Sequence, residues 1–315
     1  MRRQKTTEII NRREGYRIEN SKQYGEKGYS MRCDLHTHSV FSDGTCTPGE
    51  IVAEAKRLNL IIALTDHNTT SGLPEFMSAA VEQGVTAVPG VEISTEYHGK
   101  ELHLLGLFVL PQHYAAVERM VKEQHVLKEI SNMELVERLN QAGFLIDYMK
   151  VKGRNPSGNA NRAHVAAELL ELGYVTSIAE AFETVLSEEG GFYVPPLHLQ
   201  LLDVIRELRR IGVVSVLAHP MQELTEPELR ELLPHAIEAG LAGIETMHSS
   251  YAPETIELAE KMAAEFGLLA SGGSDFHGSV KPDIELGVGN GWLCVPVSKY
   301  LDLRELQSEL LADKG

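Results

Sequence analysis

The sequence predicts an α/β fold, a parallel barrel or sheet, interrupted by a helical insertion. Three observations support this. From Met31 onward, short apolar runs alternate with amphipathic helical patterns. Between Pro111 and His198 the alternation gives way to mostly helical periodicity. Several apolar runs also end in titratable residues, as strands do where they open onto the working face of a barrel.

In chain order, the strand-like runs are Arg32–Leu35, Ile61–Thr65, Thr86–Glu92, His103–Leu110, Val213–Ala218, Gly243–Thr246, Leu268–Ser271 and Gly291–Val297. Helices separate them. Thr47–Leu58 starts with Thr47 as N-cap, Pro48 in the first turn and Glu50 three residues on, a capping-box signature. Leu73–Glu82 follows. The inserted stretch carries helical patterns over Tyr114–Gln141, Arg162–Leu172 and Ser177–Ser187, with the turn-forming "KGRNPSGNANR" among them. The expected organisation is a polar, disordered tail (1–30), a barrel built from 31–110 and 199–315, and an insertion (111–198) on its active face that shapes substrate access.

Bulk properties narrow the function. The 315 residues suit one large domain with an insertion, and 43% hydrophobic residues suffice for a sizeable core. The apolar runs are too short to span a bilayer. Three isolated cysteines, Cys33, Cys46 and Cys294, give neither a disulfide framework nor a CxxC pair, so a cytoplasmic setting is expected. The net charge is −16; the first 30 residues contribute +4 and the rest −20. Such a surface argues against broad nucleic-acid binding. It leaves room for a small phosphorylated substrate met by cations in a local pocket.

The chemistry sits at the ends of the apolar runs. In "DLHTH", His36 and His38 are two apart and share a strand face; Asp43 follows within the same short stretch. "IIALTDHN" ends in Asp66 and His67. "VPGVEIS" places Glu92 in an apolar strand, where an unpaired carboxylate would cost several kcal/mol, on the order of a buried unpaired charge. "ELHLLG" carries His103, "VLAHP" ends at His219, and "LLASGGSDFHG" ends in Asp275 and His277. Six of the thirteen histidines thus sit at or near strand ends that a closed barrel would bring together. Nine N and O donors, with no cysteine among them, favour Mn, Zn, Fe or Mg. They exceed the needs of one catalytic zinc, so two or three ions are expected.

The ordered pattern HxH…Asp…TDH…GVE…H…AHP…SDFH resembles the PHP (polymerase and histidinol phosphatase) superfamily from Met31 to about Val297. It is most similar to the branch with a helical insertion, whose members act on 3′,5′-bisphosphonucleotides and on the 5′ ends of short RNA. The resemblance implies a distorted (β/α)7 barrel with a trinuclear site. It would place His36, His38, Glu92 and Asp275 on one ion. A second would be held by Glu92, His103 and His219, and a third by Asp43, His67 and His277. Asp66 would support rather than ligate.

Two positions depart from that branch: "AHPMQEL" has Met221 and Gln222 where an Arg often follows, and Asn68 replaces an Asp. In "NRAH", Arg162 and His164 are the candidate substrate-binding residues, Arg162 as a phosphate clamp. The implied activity is metal-dependent hydrolysis of a nucleotide phosphomonoester by activated water, with no side chain assigned as general acid. The alternatives are a 5′-to-3′ exonuclease on short RNA or DNA, a histidinol-phosphate-type phosphatase, and a non-catalytic metal-binding module.

Overall fold

A computed structural model describes residues 31–154, 160–187, 190–193 and 199–312, apart from the side chains at 123 and 125. The expected tail (1–30) lies outside the described residues, as does part of the turn-rich stretch in the insertion.

Eight strands form one sheet: β1 (Arg32–Asp34), β2 (Leu60–Leu64), β3 (Ala87–Tyr97), β4 (Lys100–Leu107), β5 (Leu199–Gln200), β6 (Val214–Leu217), β7 (Gly243–His248) and β8 (Leu269–Gly273). Their order is β1-β2-β3-β4-β6-β7-β8, and the short β5 pairs off this path with β3. The chain continuing from β1 meets that continuing from β8. Leu35 N–H donates to Gly272 O (3.1 Å), and Asp275 N–H donates to His36 O (2.9 Å). These bonds nearly close the sheet into a barrel.

The expectation of a wholly parallel sheet needs correcting. β4 runs antiparallel to both β3 and β6. The cause is local: Tyr97 pairs with Lys100 across His98 and Gly99, both at positive φ (51° and 80°). Such a two-residue turn matches the strand twist and reverses the chain at once. The expected strand Gly291–Val297 also does not form. Turns at Gly287, Gly289 and Gly291, all at positive φ, lead into a segment that touches β1 through an isolated Arg32–Pro296 bridge. A Pro, lacking its N–H, cannot extend such a ladder.

Alternation of side chains sorts the core. Ile61, Ala63, Val88, Leu105, Leu107, Val214 and Val216 form an inner cluster, which Tyr300 and Leu303 of the terminal helix (Val297–Ala312) join. Leu60, Ile62, Leu64, Leu104 and Leu217, alternating with them, face the outer helices. Helix Tyr114–Gln141 belongs to two cores. Val117 and Val121 pack with the barrel's outer cluster, whereas Leu135, Val136 and Leu139 pack with Val165, Leu169 and Leu186 in a separate cluster. Among the described residues no helix is long and apolar enough to cross a membrane.

Gly273 marks the tightest point of closure. A Cβ there would stand 2.4 Å from His36 Cβ and 2.5 Å from its backbone N. Gly273→Ala is expected to destabilise the fold by about 1–3 kcal/mol or more, in line with overpacking of a rigid core. Thermal or urea unfolding measures it.

Candidate metal centre

The residues singled out at the strand ends converge at one mouth of the barrel. Glu92, fully buried on β3, is their hub. Its Oε1 lies 3.0 Å from His103 Nδ1 and 3.1 Å from His219 Nε2. Its Oε2 lies 3.2 Å from His36 Nε2, 3.2 Å from His38 Nε2 and 3.1 Å from His67 Nδ1. Asp275 Oδ1 stands 3.3 Å from His38 Nε2, and Asp43 Oδ1 stands 3.3 Å from His277 Nε2.

Donor atoms gather in four overlapping groups, each within 4.8 Å: His38/Asp43/His67/His277, His36/Glu92/His219, His36/His38/Asp275 and His67/Glu92/His103. All nine candidate ligands from the sequence belong to at least one.

The local backbone is shaped to aim these side chains. His219 and Asp275 both have positive φ (28° and 55°), a conformation that non-glycine residues adopt at some energetic cost and that clusters at functional sites. Asn68, at φ 52°, suits the left-handed region better than most residues. Its amide clasps Ser94 in both directions, and its N–H donates to Glu92 O at 2.7 Å, steadying the strand just past Glu92. Asp66 accepts from Ser39 N–H and from the Ser39 and Ser42 hydroxyls, each at 2.7 Å, so it braces the HxH loop and belongs to none of the donor groups.

Three residues not singled out by the sequence reading complete the arrangement. Glu245 on β7 lies 3.3 Å from His36 Nδ1 and accepts from His219 N–H at 2.8 Å. With Nδ1–H given to Glu245, the His36 tautomer leaves Nε2 free to face the cluster. His277 is set the same way by its Nδ1 contact with Asp275 O (2.8 Å). Buried Asp34 accepts from the Ser274 N–H and hydroxyl and from Gly287 N–H, tying β1 to the loop that bears Asp275. His248 is also buried, its Nε2 3.5 Å from Asp275 Oδ2. Glu245 stands in "GIE" and Asp34 in "CDL", each a single carboxylate in an apolar strand, the signal that marked Glu92.

The buried atoms test whether cations fit. His36 Nε2, His38 Nε2, Asp43 Oδ1, His67 Nδ1, Glu92 Oε2 and His103 Nδ1 are all buried without a hydrogen-bond partner. Orphaned polar atoms at this density carry a large desolvation cost. They are nitrogen and carboxylate donors, all aimed at one volume, and divalent cations fit them.

Protonation follows from the same crowding. Burial alone would raise Glu92, but the charges of His67, His36 and His103 hold it well below the usual carboxylate range. Burial opposes charge on His38, yet its contacts with Asp275 and Glu92 push it up to about 9. His103 is pushed up to about 10 against burial by Glu92 and Glu101. Burial lowers His67 well below its ordinary value despite Glu92 and Asp43.

The remaining sequence candidates sit at the edge. The Arg162 guanidinium lies 4.1 Å from the Tyr193 ring centroid and 5.8 Å from that of Phe182. His164 Nδ1 accepts from Asn161 N–H (3.1 Å) and closes the start of helix Arg162–Glu171; burial lowers its pKa to about 4. Cys33 is a packed strand residue whose thiol contacts Pro296 O, and burial pushes it up. A cavity of about 580 Å³ lies over the cluster, walled by Ala163, Ile178 and Phe182 and by the loop Val280–Ile284.

Comparison with known proteins places this geometry. The PHP domain model matches residues 34–185. The chain is 32% identical over 251 residues to a 5′-3′ exoribonuclease of Haemophilus influenzae, covering 79% of this chain and 90% of that protein. It is 30% identical over 287 residues to a 3′,5′-nucleoside bisphosphate phosphatase of Chromobacterium violaceum, covering 87% and 98%. Among solved structures, a Bifidobacterium adolescentis protein assigned as a metal-dependent phosphoesterase superposes with a TM-score of 0.79 at 29% identity, covering 89% of this chain and 98% of that one.

With His38 and His103 pushed up to about 9 and about 10, a divalent ion held by them would have to displace their protons. Binding of Mn²⁺ is therefore expected to release protons, and apparent affinity to rise with pH until about 9–10. Calorimetric titration in two buffers of different ionisation enthalpy checks this. Equal heats in both, with no pH dependence between 7 and 9, would contradict it.

Proposed function

The chain belongs to the PHP family, and on that premise we propose that it is a metal-dependent phosphoesterase acting on the phosphate ester at O3′ of a small, 5′-phosphorylated nucleotide. The observation that carries this reading is Glu92 ringed by five histidines, four of which (His36, His38, His67 and His103) face it with atoms that lack hydrogen-bond partners. The relatives' names support the substrate. A 3′,5′-bisphosphonucleotide and the first residue of a 5′-phosphorylated RNA share one element, a phosphate ester on O3′ of a nucleotide 5′-phosphate. The cavity volume of about 580 Å³ suits one nucleotide.

His36, His38, Asp43, His67, Glu92, His103, His219, Asp275 and His277 would hold two or three divalent ions of the Mn, Zn, Fe or Mg class. Such ions supply Lewis-acid activation of water and of the phosphoryl group. The protein's own share is orientation. Glu245 fixes the ring of His36, and Asp66 holds the loop carrying His38 and Asp43. Asn68 and Asp34 fix the backbones flanking Glu92 and Asp275. Phe182, Ile178 and Ala163 shield one side of the cavity from water.

A second reading, 5′-to-3′ exonuclease action on short RNA, is favoured by the exoribonuclease names among the relatives. It uses the same bond and the same centre.

Purified protein with Mn²⁺ is expected to release inorganic phosphate from a 3′,5′-bisphosphonucleotide, and Asp275→Ala to lower kcat/KM by about 10²-fold or more. A 5′-phosphorylated short RNA, assayed alongside for released mononucleotide, separates the two readings. Absence of metal-dependent turnover on both substrates would overturn the proposal.

A further inference from the structure

The cavity over the centre is acidic and imidazole-rich, yet a phosphate ester brings two negative charges into it. Among the described side chains lining it, Lys281 alone carries a permanent positive charge. It follows the short 3₁₀ turn Gly278–Val280, in the loop that leaves the centre after His277. Its Nζ rests 2.5 Å from Asp275 Oδ2. The other oxygen of that carboxylate, Oδ1, is the one facing His36 and His38. The Lys281 side chain is 41% exposed, on a wall of the cavity rather than in the packed interior. Its ammonium thus sits at the rim of the centre, on a flexible four-carbon stem, within one carboxylate of the atoms that would meet cations.

The geometry points to Lys281 as a substrate-binding residue that grips a phosphoryl oxygen of the ester seated on the centre. The assignment rests on the proposed phosphoesterase reading and deepens it by naming the cation that meets the substrate. A lysine acts here as a compact charge donor with freely rotating N–H groups, and does not require the fixed fork of an arginine. Were Asp275 to share its charge with ions in the centre, its hold on Lys281 would weaken, and an arriving phosphate would be the next anion within reach. Arg162, by contrast, is stacked on Tyr193. Lys128 feels the charges of Glu101 and Asp43 from helix Tyr114–Gln141 but does not line the cavity.

The test uses Mn²⁺-loaded full-length protein and inorganic phosphate as the probe, with binding followed by calorimetry and metal content by elemental analysis. Lys281→Ala is expected to weaken phosphate binding about 10- to 100-fold at wild-type metal content. Lys281→Arg is expected to restore most of it, and Lys128→Ala to leave it unchanged. The assignment fails if Lys281→Ala binds phosphate as wild type does. It also fails if the variant loses metal in proportion, since Lys281 would then serve only to hold Asp275. Phosphate binding is read without turnover, so an inactive wild type with an intact Lys281 effect would overturn the phosphoesterase reading alone. An active wild type with no Lys281 effect would overturn this assignment alone.

Discussion

Everything at the mouth of the barrel depends on a carboxylate that is fully buried and touched by five imidazoles. A lone buried charge would cost several kcal/mol, and removing its partners would cost a comparable amount. Glu92 is tolerated because His36, His38 and His67 meet one oxygen while His103 and His219 meet the other. The arrangement is reciprocal. The same contact raises His36 and His103 that lowers Glu92, so these members of the cluster pair their charges.

The sheet delivers these side chains through two irregularities. The reversal at His98–Gly99 sends β4 back beside β3, which puts His103 next to Ser94 in register and on the same end of the barrel as Glu92. Closure between the ends of β1 and β8 depends on Gly273, with no room for a side chain, and on Asp34, whose carboxylate binds the Ser274 backbone. Packing and polar pairing therefore meet at one seam. A change in the seam moves His36 and Asp275 together.

Much of this was legible in the sequence. Apolar runs ending in His or Asp pointed to strand ends, and the HxH spacing to a shared face. The nine donors do converge. The long helix Tyr114–Gln141 and the capped one opened by Thr47 were legible in type and nearly so in extent. What escaped was tertiary. Glu245 and His248 lie on a strand whose own pattern gives no sign of which face meets His36. Asp34 carries the lone-carboxylate signal, but its partner Ser274 is 240 positions away, so its role is not readable locally. Gly291–Val297 has the composition of a strand, but its glycine turns and Pro296 leave it without a ladder. The antiparallel β4 turned on a two-residue loop whose His-Gly sequence is a weaker hairpin signal than Asn-Gly.

The terminal helix has a consequence for traffic. By setting Tyr300 and Leu303 into the inner cluster, it stoppers the barrel at the end away from the histidines. Among the described residues the barrel is therefore filled by side chains and not open from end to end. A polymer meeting the cavity over the histidines would offer it a tip and would not pass through the barrel axis.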